Sequence, residues 1–70
     1  MVSTQPNNLG RNIKKFRAKK EWSQDKLAKQ ADIPYTTITK IETGLIKAPS
    51  VFTVEKIASA FDVSIEQLIR

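Results

Sequence analysis

The stretch "IPYTTITKIETG", residues 33–44, decides the fold. Four of its residues are threonines, at positions 36, 37, 39 and 43, and β-branched side chains favour strands. The spacing of its apolar residues says otherwise. A half-buried strand alternates apolar and polar residues. Here Ile38 and Ile41 stand three apart, with Leu45 four further on, which is the interval of one helix face. Pro34 suits a first helical turn, where its missing N–H costs nothing. Gly44 suits the left-handed residue that closes a helix. Residues 34–43 therefore read as a helix with Ile38, Ile41 and Leu45 inward. Its threonines each cost about a few tenths of a kcal/mol against alanine, so they need a reason of their own.

Helical patterns continue on both sides. Upstream, a helix over residues 9–20 has Leu9, Ile13 and Phe16 on its apolar face and Asn8 as its N-cap. A second follows in "WSQDKLAKQADI", capped by Ser23, with Trp22 and Leu27 at hydrophobic-staple spacing. Leu27, Ala28 and Ala31 form its inner side, the alanines letting another helix approach closely, and Asp32 is the turn residue. Downstream, Ser50 caps a helix over residues 51–61 that buries Val54, Ile57, Ala58 and Phe61. Ser64 and Gln67 then fit the capping box of a short fifth helix, stapled by Val63 and Leu68, with Ile65, Leu68 and Ile69 inward. The expected fold is all-α: a compact five-helix bundle over residues 9–70, preceded by a polar, flexible arm over residues 1–8. The second and third helices, joined by a tight turn, form a helix-turn-helix pair that presents the third outward, able to enter a DNA major groove.

Composition narrows the function. Seventy residues make one small domain. With no cysteine and no histidine, disulfides, thiolate nucleophiles and the common zinc sets are excluded. The absence of cysteine fits a reducing cytoplasm. No apolar run reaches the roughly 18 residues of a membrane span. General acid–base and metal chemistry lack their parts, so neither an enzyme nor a cofactor is expected. The net charge is +5, unevenly placed. Residues 1–50 hold ten Lys/Arg against four Asp/Glu, whereas residues 51–70 hold two against three. One-sided positive charge suggests a polyanion partner, although a lysine-rich face that only keeps the protein soluble accounts for it equally well.

The ordered pieces "LGRNIKKFR", "SQDKLA", "ITKIETG", "APS" and "IASAFDVSIEQL" resemble the phage-repressor-like (Cro- and XRE-type) helix-turn-helix domains. The resemblance runs from Leu9 to Leu68. It implies a lambda-repressor-like five-helix domain that binds double-stranded DNA at a palindromic operator, commonly as a homodimer. It also implies a second helix lying across the DNA backbone and a third reading bases. The threonines then have an account. At about 100° per residue, Thr36, Thr39, Lys40 and Thr43 lie opposite Ile38, Ile41 and Leu45. A threonine hydroxyl can donate or accept, its methyl can meet a thymine methyl, and lysine can donate to guanine O6 or N7. Base contact is assigned to Tyr35, Thr36, Thr39 and Lys40. Phosphate contact is assigned to Gln24, Thr43, Lys47 and Arg11. The bland alternative for this stripe is an ordinary polar face.

The resemblance also implies an ion pair between Arg17 and Glu42 that fixes the third helix against the first, with Arg17 able to touch phosphate at its free edge. The chain departs from the family's pattern after Gly44. Apolar Leu45 and Ile46 stand where basic or polar residues are usual, and Phe52 lies off the inner face of its helix. Leu45 can complete the core of the third helix. Ile46 and Phe52 either form a dimer or partner interface or pack locally under the loop. The leading expectation is a DNA-binding transcriptional regulator, most simply a repressor. The rival is an antitoxin or adaptor that uses the same bundle to hold a protein.

Overall fold

Four residues in left-handed backbone, Glu21, Asp32, Gly44 and Asp62, divide the chain into helices. The computed structural model describes residues 8–70, and within them lie α1 (Leu9–Lys20), α2 (Gln24–Ala31), α3 (Tyr35–Thr43), α4 (Val51–Phe61) and α5 (Ile65–Ile69). Apart from Asn8, the expected arm over residues 1–8 lies outside the described residues. Pro34 is the residue that precedes α3, with φ −57° and ψ 139°, so the helix starts one residue later than its proline suggested.

Three of the helix ends share one device. After α1, α2 and α4 the left-handed residue is acidic, with φ between 58° and 60°. The residue after it sends its N–H back to a carbonyl five positions earlier: Trp22 to Arg17, Ile33 to Ala28, Val63 to Ala58. This closes the last turn and folds an apolar side chain onto the helix it follows. Ile33 is buried, and Trp22 and Val63 pack against the core. Starts are capped by side chains. Ser23, Ser50 and Ser64 accept from the N–H of Lys26, Thr53 and Gln67. At Ser64 the capping box is complete, with Gln67 Oε1 accepting from the Ser64 N–H at 2.9 Å.

Asn8 stands before α1 but does not cap it with its side chain. Its Nδ2 instead donates to the Arg70 carbonyl at 2.9 Å, and Asn12 Nδ2 donates to the Leu68 carbonyl at 2.7 Å. Two asparagines thus satisfy the carbonyls at the end of α5, a helix of five residues that cannot bond them internally.

The core joins Leu9, Ile13, Leu27, Ala28, Ala31, Ile33, Ile38, Ile41, Val54, Ile57, Ala58, Phe61 and Leu68. Phe16 and Trp22 close one end over Phe61, with ring centroids 5.5 and 5.6 Å away. The assignment of α5's inner face holds for Leu68 and in part for Ile65, but Ile69 is 39% exposed at the helix end. α3 is wedged between α1 and α2, while α4 and α5 back the bundle from behind. The approach of α1 to α3 is close enough to need glycine. A Cβ on Gly10 would lie 2.6 Å from the Ile41 carbonyl oxygen. No helix among the described residues is long and apolar enough to cross a membrane.

Leu45 leaves the core place expected for it, and Ile46 takes the second of its two expected places, packed locally under the loop. Leu45 is 75% exposed, whereas Ile46 is half-buried against the core. The cause lies in how α3 ends. Gly44, at φ 87°, donates to the Ile41 carbonyl as the other helix stops do, but the next bond back, to Lys40, comes from Ile46 and not from Leu45. One extra residue is looped out. The apolar side chain folded onto the helix is therefore the second after the glycine, and Leu45 is left outside.

Candidate nucleic-acid interface

The outward side of α3 follows from its buried side. Ile38 and Ile41 are fully enclosed, and Thr36, Lys40 and Thr43 are exposed on the face away from them. Thr39, in the same stripe, is only half-exposed. Tyr35 leads the helix at 49% exposure. Two hydroxyls of the stripe are already used. Thr39 Oγ1 donates to the Thr36 carbonyl at 2.8 Å and Thr43 Oγ1 to the Lys40 carbonyl at 3.2 Å. Back-bonding of this kind is how threonine is accommodated within a helix. It also changes what these residues can offer. With their protons spent, Thr39 and Thr43 present methyls and oxygen lone pairs, so each is an acceptor and an apolar contact. Thr36 and Lys40 keep their donors for an outside partner.

Behind α3 sits its mount. Arg17 of α1 holds Glu42 of α3 with two parallel bonds, Nε to Oε2 at 2.7 Å and Nη2 to Oε1 at 2.9 Å. The third edge of the guanidinium, Nη1, donates to the Trp22 carbonyl at 2.8 Å. Each of its three nitrogens is thus engaged inside the protein, which leaves for phosphate only the second hydrogen of Nη1 and that of Nη2. The Glu42 side chain is 1% exposed and that of Arg17 19%. The Arg17 pKa is raised above its ordinary value, first by the hydrogen bonds to Glu42 and then by the nearby negative charge, with partial burial working against both.

Gln24 completes the group. Its Nε2 donates to Glu42 Oε1 at 2.9 Å, so one carboxylate ties α1, α2 and α3 together. An amide nitrogen carries two hydrogens, and the second remains available from a half-exposed side chain at the start of α2. The sequence placed Arg17 and Glu42 together but treated Gln24 separately. The link between them could have been read from Gln24 opening the helix next to the one that carries Glu42.

The basic run of α1 is less uniform than its sequence. Arg17 is in the ion pair. Lys19 and Lys20 lie over the rings of Phe16 and Trp22, with Nζ 5.6 and 5.3 Å from the centroids. Arg11, Lys14 and Lys15 are exposed, as is Lys47 in the loop after α3. Of the two residues proposed as an interface, Phe52 is 71% exposed and Ile46 is half-buried against the core. Leu45 and Val51, at 75% and 61%, take the place of Ile46.

This arrangement has known counterparts. A helix-turn-helix family model matches residues 13–68. The HTH-type transcriptional regulator SinR of Bacillus subtilis (strain 168) is 33% identical over 61 residues, which are 87% of this chain and 55% of SinR. The chain thus spans about half the length of the curated relatives it matches. The crystal structure of SinR in complex with DNA superimposes with a TM-score of 0.82 at 33% identity, covering 86% of this chain and 95% of that one. The hypothetical transcription factor NHTF from Neisseria superimposes with a TM-score of 0.86 at 30% identity, covering 94% and 75%.

Proposed function

The chain belongs to the helix-turn-helix family, and on that premise we propose that it is a sequence-specific DNA-binding regulator of transcription that lays α3 in the major groove. The observation that carries this reading is the solvent-facing stripe of Thr36, Lys40 and Thr43, backed by the fully buried Ile38 and Ile41. Tyr35, Thr36, Thr39 and Lys40 meet base edges. Thr36 and Lys40 donate, and Thr39 offers its methyl to a thymine. Gln24, Lys47 and Arg11 donate to phosphates, and Thr43 joins them by turning its hydroxyl proton from the Lys40 carbonyl to a phosphate oxygen; such contacts position the domain without reading sequence. Gln24 does so with its second N–H, aimed by the bond to Glu42.

Two copies read the halves of a palindromic operator about one helical turn, roughly 34 Å, apart. Repression follows from occupancy, as the bound pair excludes polymerase. The SinR–DNA complex supports the reading, because its protein shares this fold at 33% identity.

The rival is a protein-interaction module of antitoxin or adaptor type, favoured by the exposed Leu45, Val51 and Phe52. Salt separates the two. Binding through several phosphates weakens with a log–log slope of about −0.9 per phosphate contacted. A steep slope on duplex DNA supports the regulator. Affinity for DNA that is absent or indifferent to salt overturns it.

A further inference from the structure

The three threonines of the outward stripe are not equivalent. Thr36 is exposed and its hydroxyl proton is uncommitted. Thr43 is exposed at the end of α3, with a long bond of 3.2 Å to the Lys40 carbonyl. Thr39 differs from both. It is half-exposed in the middle of the helix, and its Oγ1 stands 2.8 Å from the Thr36 carbonyl oxygen. A carbonyl oxygen only accepts, so the Thr39 proton points back at its own helix. What this side chain offers a partner is a methyl and an accepting oxygen, both carried on one carbon.

That pair of features selects a base edge. In the major groove thymine carries its C5-methyl beside O4, an acceptor, whereas cytosine carries its N4 amino donor beside a bare C5. Thr39 matches half of each. Its methyl suits thymine, but there its oxygen faces another acceptor. Its oxygen suits cytosine, but there its methyl finds no partner. Cytosine methylated at C5 supplies both, a methyl and a donor on adjacent ring atoms. Lys40, exposed on the same outward face, points the same way, because it donates to guanine O6 or N7 and guanine is the base that pairs with 5-methylcytosine. Resting on the DNA-binding reading above, we infer that Thr39 is a reader of 5-methylcytosine, so that methylation of one cytosine in the operator strengthens binding. Thymine, which supplies the methyl alone, is a weaker substitute.

The test starts from a duplex enriched from a randomised DNA pool. Each position is rebuilt in turn with thymine or uracil opposite adenine, and with cytosine or 5-methylcytosine opposite guanine. Affinity is measured for the unaltered chain, Thr39→Ser and Thr39→Val. Serine keeps the hydroxyl without the methyl, and valine keeps the methyl without the oxygen. The position is half-exposed, so both variants fold, which their melting temperatures check. At one position the unaltered chain binds 5-methylcytosine about fourfold more tightly than cytosine, and thymine about fourfold more tightly than uracil, the worth of one buried methyl. Thr39→Ser loses both preferences. Thr39→Val keeps them, but its ratio of affinities for 5-methylcytosine and thymine falls about fivefold below the parent's, the worth of one hydrogen bond. Contacts to the paired purine cancel in that comparison.

Affinity for 5-methylcytosine that nowhere exceeds that for cytosine overturns the inference and leaves the DNA reading standing. So does a methyl preference that survives in Thr39→Ser, which assigns the methyl to another residue. A ratio unchanged in Thr39→Val removes the accepting oxygen from the contact, which also overturns it. If no duplex is enriched, the DNA reading falls and the inference falls with it.

Discussion

Removing Arg17 should cost this domain more than removing Glu42, although the two form one ion pair. The asymmetry comes from burial. The Glu42 side chain is 1% exposed and receives three hydrogen bonds, two from Arg17 and one from Gln24. Arg17→Ala removes two of them and strands a carboxylate away from water, at a cost on the order of 3–5 kcal/mol. Glu42→Gln leaves the guanidinium 19% exposed, within reach of solvent and still bonded to the Trp22 carbonyl, and should cost about 1–2 kcal/mol. Replacing both, as Arg17→Met with Glu42→Leu, should come close to neutral, because no charge is left behind.

A domain of 70 residues holds roughly 3.5–10 kcal/mol in all, so Arg17→Ala should sit near the edge of folding. Urea unfolding followed by fluorescence of Trp22, the only tryptophan, reads these differences. With a slope of about 1 kcal/mol per molar, a loss of ~3 kcal/mol moves the midpoint by about 3 M. pH is a poor substitute for these variants. The raised Arg17 pKa means that its stabilising contribution is complete below arginine's ordinary value and is lost only as pH rises through a still higher one. Its charge is therefore constant at any working pH. An Arg17→Ala midpoint within about 1 M of the parent, or a Glu42→Gln loss larger than that of Arg17→Ala, refutes the argument from burial.

Two glycines make further predictions. Gly10→Ala places a Cβ 2.6 Å from the Ile41 carbonyl oxygen; α1 and α3 must part, and a stability loss of about 1–3 kcal/mol should appear in the same urea assay, with base preference on DNA blurred as α3 shifts. Gly44→Ala meets no atom within 4 Å but holds φ at +87°, so it should cost about 1–2 kcal/mol from backbone strain alone and leave the α1–α3 approach intact.

Much of this architecture is legible in the sequence because it is set by neighbours in the chain. Ser23, Ser50 and Ser64 cap the helices they precede, Asp32 and Gly44 take left-handed backbone, and the period of Ile38 and Ile41 gives α3 its buried face. What escapes the sequence depends on distant parts or on the detail of a turn. Asn8 reads as a cap, yet the bare carbonyls at the end of α5, 62 positions away, offer its amide a better partner. Leu45 reads as core because a continued helical period puts it there. One looped-out residue after Gly44 gives that place to Ile46. At the candidate site, the stripe of α3 follows from periodicity. The spent hydroxyls of Thr39 and Thr43 do not, because a rotamer decides them.

The account stands on α3 reading base edges while the start of α2 holds the backbone. The most direct measurement is the base preference of the unaltered chain, Lys40→Ala and Gln24→Ala across every single-base change in the enriched duplex. The account predicts that Lys40→Ala loses about 1–3 kcal/mol of discrimination at one base position, and that Gln24→Ala binds all sequences more weakly with preferences kept. A Lys40→Ala profile that keeps every preference, or a Gln24→Ala profile that loses one, contradicts it.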